Sequence, residues 1–208
     1  MKRSPLLAWL SRETEKMHRQ LESTPLLSKL LDTSLSLEEL CEVLQRFLWI
    51  YRPIDKALSD SLPRFLPTWR TPLWTPCLIA DLAALGQPIQ KADRVIFLSP
   101  ETLPETLGLL YVIEGSTLGG AVIAGKLEHS PARIPRHALS FFSLGGSESP
   151  SLWERFLMIF PADSVSPEFS CDLLMGATRT FQLFLDILSS QNSTIRLSGQ
   201  HLTEPLSP

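Results

Sequence analysis

Residues Glu114 to Gly120 read Glu-Gly-Ser-Thr-Leu-Gly-Gly and place three glycines inside an otherwise apolar, helix-like segment. An interior glycine costs a helix roughly 0.8 to 1 kcal/mol relative to alanine, so a cluster of them implies that something approaches or bends the backbone there. Gly108, Gly115, Gly119, Gly120 and Gly125 all fall in this segment, and Gly115 with Gly119, one turn apart, leaves one face without side chains. Two explanations compete: close packing of another helix, or a floor on which a bulky planar ligand lies.

The rest of the chain limits the choice of partner. With 208 residues, 44% of them hydrophobic, and a net charge of -3, it has material for one well-cored domain and no charge excess that would recruit nucleic acid. Cys41, Cys77 and Cys171 are odd in number, far apart and in apolar surroundings, which argues against a disulfide framework or a CxxC metal site and fits a reducing cytoplasm. Met1-Lys2-Arg3 and the apolar run Pro5 to Leu10 imitate the start of a signal peptide. The run stops at Ser11-Arg12-Glu13, too short for a leader's core or a membrane span, so no targeting segment is read.

Seventeen prolines punctuate the sequence rather than break it. Ser4-Pro5, Thr75-Pro76, Ser99-Pro100, Ser149-Pro150 and Ser166-Pro167 each offer an N-cap hydroxyl followed by a proline, and Ser36-Leu37-Glu38-Glu39 spells a capping box. Between these starts, apolar residues recur at spacings of three and four, and no segment alternates as a strand does. The expectation is an all-α single domain over 1–190. Its helices lie near 4–23, 36–60, 75–85, 100–128, 149–160 and 167–190, with a kink at Pro53, an end at Gly86, a connector over 140–150 and a frayed polar tail over 191–208.

Two motifs bear on chemistry. Gly120 to Lys126 matches GxxxxGK, but Leu127 replaces the Ser or Thr that would bind magnesium and no strand precedes it, so a phosphate loop is rejected. Thr14, His18 and Glu22 share one helical face, where Glu22 can accept the second imidazole N–H of a ligating His18. His129, His137 and His201 form no HxxxH or HExxH pair, and a single histidine suits a cofactor that brings its own four nitrogens.

Leu10, Thr14, His18, Leu21 and Glu22, followed about a hundred residues later by Leu110-Tyr111-Val112-Ile113-Glu114-Gly115-Ser116-Thr117-Leu118-Gly119-Gly120, resemble the haem oxygenases. The bacterial branch, including enzymes that supply biliverdin to phytochromes, is the most similar. Phe141-Phe142, Gly145, Trp153 and a last helix centred on Phe181 extend the resemblance over most of the chain. It implies a haem b sandwiched between a proximal N-terminal helix and a distal glycine-rich helix. His18 would be the axial ligand to the iron and Glu22 the carboxylate that orients it, with Gly115, Ser116, Gly119 and Gly120 as the distal wall. Bareness there would leave dioxygen room to lie along the ring.

The implied reaction converts haem, dioxygen and electrons from an external donor, such as a ferredoxin or a reductase, into biliverdin, ferrous iron and carbon monoxide. Ser116 stands where mammalian members carry an aspartate. Ser11 stands where many relatives place a propionate-binding cation, and the adjacent Arg12 projects about 100° away on a regular helix. Tyr111 and Lys126 match positions that meet propionates in some relatives, against plain roles as a core tyrosine and a solvated lysine; Phe142 matches a pocket-lining aromatic, against a core role. Competing readings are a haem carrier or sensor on the same fold, a thiaminase-like helical enzyme, and a purely structural protein, the last of which leaves the glycine cost unexplained.

Overall fold

In a computed structural model, which describes residues 4–32, 35–92, 96–130, 132, 134–144, 149–161 and 165–189, every element among the described residues is helical. They are α1 (Pro5–Glu22), α2 (Pro25–Leu30), α3 (Leu37–Phe65), α4 (Trp74–Ala84), α5 (Leu103–Leu127), α6 (Ser149–Ile159) and α7 (Pro167–Leu188), with a single 3-10 turn at Arg136–Ala138. The frayed tail expected over 191–208 and Gly145 lie outside the described residues.

The punctuation reading holds in part. Ser36 accepts from the Glu39 N–H while Glu39 returns a bond to the Ser36 N–H, and Ser166 accepts from the Phe169 N–H. Helix α5 starts three residues later than expected, because Thr102 and Glu105 form a second capping box, a better pair of partners for the free N–H groups than Ser99 alone. Helix α4 starts at Trp74 rather than after a Thr75 cap: the Asp55 carboxylate of α3 accepts from the N–H groups of Trp74 (3.4 Å) and Thr75 (2.8 Å). Ser4 precedes α1 but gives its hydroxyl proton to the Pro161 carbonyl at 2.9 Å instead of capping. The cap expected at Ser149 falls on a side chain outside the described ones.

Helix α3 runs through Pro53 and Pro63 to Phe65, beyond the expected end at residue 60, because the buried stripe from Leu40 to Leu62 offsets the N–H bonds that the prolines remove. Helix α2, not foreseen, repeats the hydroxyl-proline start at Thr24-Pro25, and six residues are too few to display a period. Gly86 ends α4 as expected: at φ 68° it takes the left-handed conformation, and the Gly86 and Gln87 N–H groups bond back to Ala83 and Leu82.

The core is built on the crossing of α5 and α7, flanked by α1, α3 and α6. At that crossing the backbones touch. A Cβ at Gly108 would stand 2.2 Å from the Leu173 carbonyl oxygen, and one at Gly176 would stand 2.2 Å from that of Glu105. Close packing therefore explains Gly108, together with Gly176 of the partner helix. By length and composition α5 is the one helix among the described residues that could cross a membrane, but here it is packed by α3, α6 and α7. Helix α1 buries Leu7, Leu10 and Thr14 and packs Leu6, Trp9, Met17 and Leu21 partly against the core.

The glycines thus divide into two classes with opposite expected responses. Gly108→Ala and Gly176→Ala should each destabilise the fold by about 1 to 3 kcal/mol in urea unfolding, since backbone cannot retreat as a side chain can. Gly119→Ala should stabilise the ligand-free protein by roughly 0.5 to 1 kcal/mol.

Candidate functional site

The second expectation follows from what surrounds the remaining glycines. Nothing lies within 4 Å of a Cβ built on Gly119 or Gly125; one on Gly115 would meet only Trp153, at 3.7 Å, and one on Gly120 the Phe142 carbonyl, at 3.5 Å. Packing requires none of them to be glycine. The same stretch exposes Leu118 and Val122, which flank Gly119 on the helix surface, so bare backbone and uncovered apolar side chains form one strip.

Helix α1 faces the start of that strip. Thr14 gives its hydroxyl proton to the Leu10 carbonyl at 2.8 Å, and Tyr111 OH stands 3.4 Å from Thr14 Oγ1, so Tyr111 is the donor in this long contact. Both helices run in the same sense along α7. Ser4 meets Pro161 just before α7 begins, while His18 packs edge-on against Phe181 with ring centres 6.1 Å apart. Thr102 bonds Asp172 near the start of α7, and Tyr51, the partner of Ser116, packs on Phe184 further along it. One turn beyond the Thr14–Tyr111 contact, α1 carries His18 and α5 carries Gly115; the next turn brings Glu22 and Gly119. An imidazole and a wall of bare backbone therefore lie on neighbouring helices.

The His18 side chain is 57% exposed, and its Nδ1 stands 3.6 Å from Glu22 Oε2, a single turn away and slightly long for a hydrogen bond. That orientation leaves Nε2 for a ligand. Lys126 is exposed two turns beyond Gly119 on the same face. Arg12 is not brought to the site: its guanidinium bonds Glu13 at 3.2 and 3.3 Å on the exposed side of α1. Phe142 is buried against Phe47 and Phe141, and its carbonyl borders the wall at Gly120. That carbonyl is placed from α4, where the fully buried Asp81 accepts from the N–H groups of Ser140 (2.9 Å) and Phe141 (2.8 Å).

Ser116 is the polar group of the wall. Its hydroxyl donates to the Ile113 carbonyl at 2.7 Å, and Tyr51 OH lies 3.2 Å from it. A serine hydroxyl has one proton, so Tyr51 donates to Ser116, whose remaining lone pair is the one available to the open side. Ser116 is thus an acceptor toward the strip. Tyr51 stays protonated because burial, reinforced by Asp55 and Glu114, holds its pKa well above the usual tyrosine value against the opposing Ser116 bond. Sequence reasoning missed Tyr51, counting it among the apolar residues of α3. The signal was there: a tyrosine on a buried aliphatic stripe has a hydroxyl that must find a partner. Glu114, one residue before Gly115, is also fully buried, and burial pushes its carboxyl up to about 7 against the Thr71 hydrogen bond and the nearby Arg155.

Comparison with known proteins decides the family. The sequence profile of the family described as Heme oxygenase matches residues 4–190.

The chain belongs to the haem oxygenase family.

Among its relatives is a haem oxygenase of Xanthomonas campestris pv. campestris, 33% identical over 153 residues that cover 72% of this chain and 88% of that one. Another is the haem oxygenase PigA of Pseudomonas aeruginosa, 30% identical over 133 residues, 62% of this chain and 65% of its own length. Solved structures with the same fold are the NO- and CO-bound haem oxygenase of Neisseria meningitidis (TM-score 0.65, 22% identity, covering 88% of this chain and 89% of that one) and the haem oxygenase of Leptospira interrogans (TM-score 0.70, 16% identity, covering 88% and 98%). The helical fold expected of a haem oxygenase is therefore the one observed.

Glu114 gives this haem oxygenase family member a measurable signature without any ligand. Below about pH 4.5 the carboxyl is protonated in both folded and unfolded chains, so its contribution is fully present. Between there and about 7 only the unfolded chain ionises, and stability is lost as pH rises through the folded value. Relative to Glu114→Gln, the parent should lose on the order of 3 kcal/mol between pH 4.5 and 8 in urea unfolding. Parallel pH profiles for the two proteins would show that Glu114 does not titrate in this way.

Proposed function

We propose that this chain binds haem b between α1 and α5 and cleaves it oxidatively to biliverdin, ferrous iron and carbon monoxide. Dioxygen and electrons from an external donor, such as a ferredoxin or a reductase, would be consumed. Membership in the haem oxygenase family supports haem degradation. The observation that carries the site is Gly119: its missing side chain is demanded by no neighbour in the protein, and it stands on the strip that Tyr111 and Thr14 join to the His18 face.

The residues present fit the group. His18 Nε2 would hold the iron, and Nδ1, turned toward Glu22, would fix the tautomer and make the ligating nitrogen more basic. Leu118 and Val122, exposed on the same strip, would give apolar cover beside the ring, and Gly115, Gly119 and Gly120 would keep its face away from His18 free of side chains. Haem supplies the iron that activates dioxygen and the ring that is opened. The chain's own part in catalysis is clearance and polarity. Backbone without Cβ atoms would leave room beside the ring for dioxygen, and the Ser116 lone pair, oriented by Tyr51 and Ile113, would accept from a proton-bearing group such as water. At the haem edge, the exposed Lys126 would be the cation that α5 offers a propionate. Tyr111 can turn its proton from Thr14 to a propionate, because the 3.4 Å contact it would give up is weak. Arg12 would have to leave Glu13 to take part.

A cytoplasmic setting, with a phytochrome as one receiver of the product, completes this reading. Three free cysteines and the similarity to bacterial relatives support it.

Addition of hemin should give a Soret band, and a reductant under air should convert the complex through verdohaem to biliverdin absorption. His18→Ala should lose the histidine-ligated spectrum. Gly119→Leu should retain a haem complex and block or misdirect turnover by at least tenfold. A Soret band that never forms would refute the reading, a stable one without conversion would indicate a carrier, and normal turnover in Gly119→Leu would remove the wall from the mechanism.

A further inference from the structure

Behind the glycine wall, on the side away from His18, lies an acidic group that the functions above leave unused. Glu114 has no exposed surface. Thr71 donates to its Oε1 at 3.2 Å, while Oε2, buried as well, has no hydrogen-bond partner. The groups facing it come from three elements besides its own. The segment between α3 and α4 gives Thr71; it also carries Trp69, whose indole N–H is buried and unpartnered. Helix α6 gives Arg155, whose guanidinium lies 5.3 Å over the Trp69 ring and attracts Glu114 without forming an ion pair with it. Helix α3 gives Tyr51, which is electrostatically coupled to both Glu114 and Asp55.

A carboxyl half-satisfied by hydrogen bonds and shut off from water is a poor structural anchor. An apolar residue in the same space would avoid the cost of leaving Oε2 unpaired. Its position suggests a different task. One residue on is the bare Gly115, two on is Ser116, and the tyrosine that orients Ser116 lies within the reach of its charge. In so dry a setting a unit charge acts over several ångströms with little screening.

We propose that Glu114 is a positioning residue for the distal face: sealed behind the wall between Thr71 and Arg155, it sets by the charge it carries the potential in which the Tyr51–Ser116 pair meets a group bound on the glycine side. The proposal rests on the assignment of α5 as the distal wall. Ionised, Glu114 makes that face more negative, opposes ionisation of a bound water and strengthens the acceptor character of Ser116; protonated, it leaves the pair's polarity to Ile113 alone. Its carboxyl pKa of about 7 puts the change near neutral pH.

Carbon monoxide on the ferrous haem complex of the full chain probes this field, because its stretching frequency rises as the potential beside it becomes more negative. From about pH 5.5 to about 8.5 the parent's infrared band should move upward with a midpoint near neutrality. Glu114→Gln should hold the low-pH position throughout. Thr71→Val, which removes the bond that favours the ionised carboxyl, should move the midpoint to higher pH and serves as the test should Glu114→Gln fail to fold. In the ferric complex, Glu114→Gln should lower the pH at which bound water ionises, a roughly three- to tenfold increase in its acidity. A parent band that does not move with pH, or Glu114→Gln tracking the parent, overturns the role of Glu114. Ser116→Ala separates the two layers: if it shifts the band while Glu114→Gln does not, only this proposal fails, and if it leaves the band unmoved, the distal assignment of α5 fails with it.

Discussion

The contact between the backbones of α5 and α7 at Gly108 and Gly176 is the constraint from which the rest of the molecule follows. Two helices that touch through carbonyl and N–H groups cannot slide by a fraction of a turn without a clash, so the register of α5 against α7 is fixed at one end of α5. From there the helix extends past α3 and α6 as a rigid rod, and the face it turns toward α1 two turns later is determined by helical geometry alone. Gly115 and Gly119 occupy that face, and α1, carried along the same side of α7, brings Thr14 to Tyr111 and His18 past it. The same residue type thus serves two ends: at Gly108 it permits a close approach of protein, and at Gly119 it leaves room for a ligand.

Buried polar groups tie the surrounding elements to this rod. Asp55 caps α4, Asp81 holds the Ser140–Phe141 N–H groups so that the Phe142 carbonyl borders Gly120, and Glu105 closes the start of α5 while pairing with Arg179 of α7. Each satisfies backbone donors that would otherwise be orphaned inside the fold, and each joins segments far apart in sequence. The wall's polarity is set in the same manner, by Tyr51 reaching across from α3 to Ser116. Helix α1, whose far half buries only Thr14, stands to gain from a ligand that bridges it to α5.

The sequence was legible where the physics is local. One capping box, the hydroxyl–proline starts, the Gly86 stop and the spacing of apolar residues identified six of the seven helices among the described residues, and the pairing of His18 and Glu22 with the glycine run indicated the family. It was illegible where a partner comes from elsewhere in the chain. Thr75 resembled a cap because nothing nearby reveals Asp55. For Phe142 a pocket role and a core role stood side by side, because nothing nearby shows its burial against Phe47 and Phe141 with its carbonyl at Gly120. The five glycines of α5 looked alike because their neighbours, backbone at Gly108 and open space at Gly119, belong to the tertiary structure. Tyr51 and Glu114 were missed for the same reason: the one is a stripe residue and the other a motif residue until the groups facing them are known.

A crystal structure of the hemin complex would test the central claim most directly, by the iron's axial donor and the contact between the ring and α5. The account predicts His18 Nε2 as the donor and the far side of the ring resting on the backbone of Gly115 and Gly119 at van der Waals distance, with Ser116 directed to the same side. An iron ligated by any other residue, or a ring lying away from α5 with side chains on both faces, would contradict it.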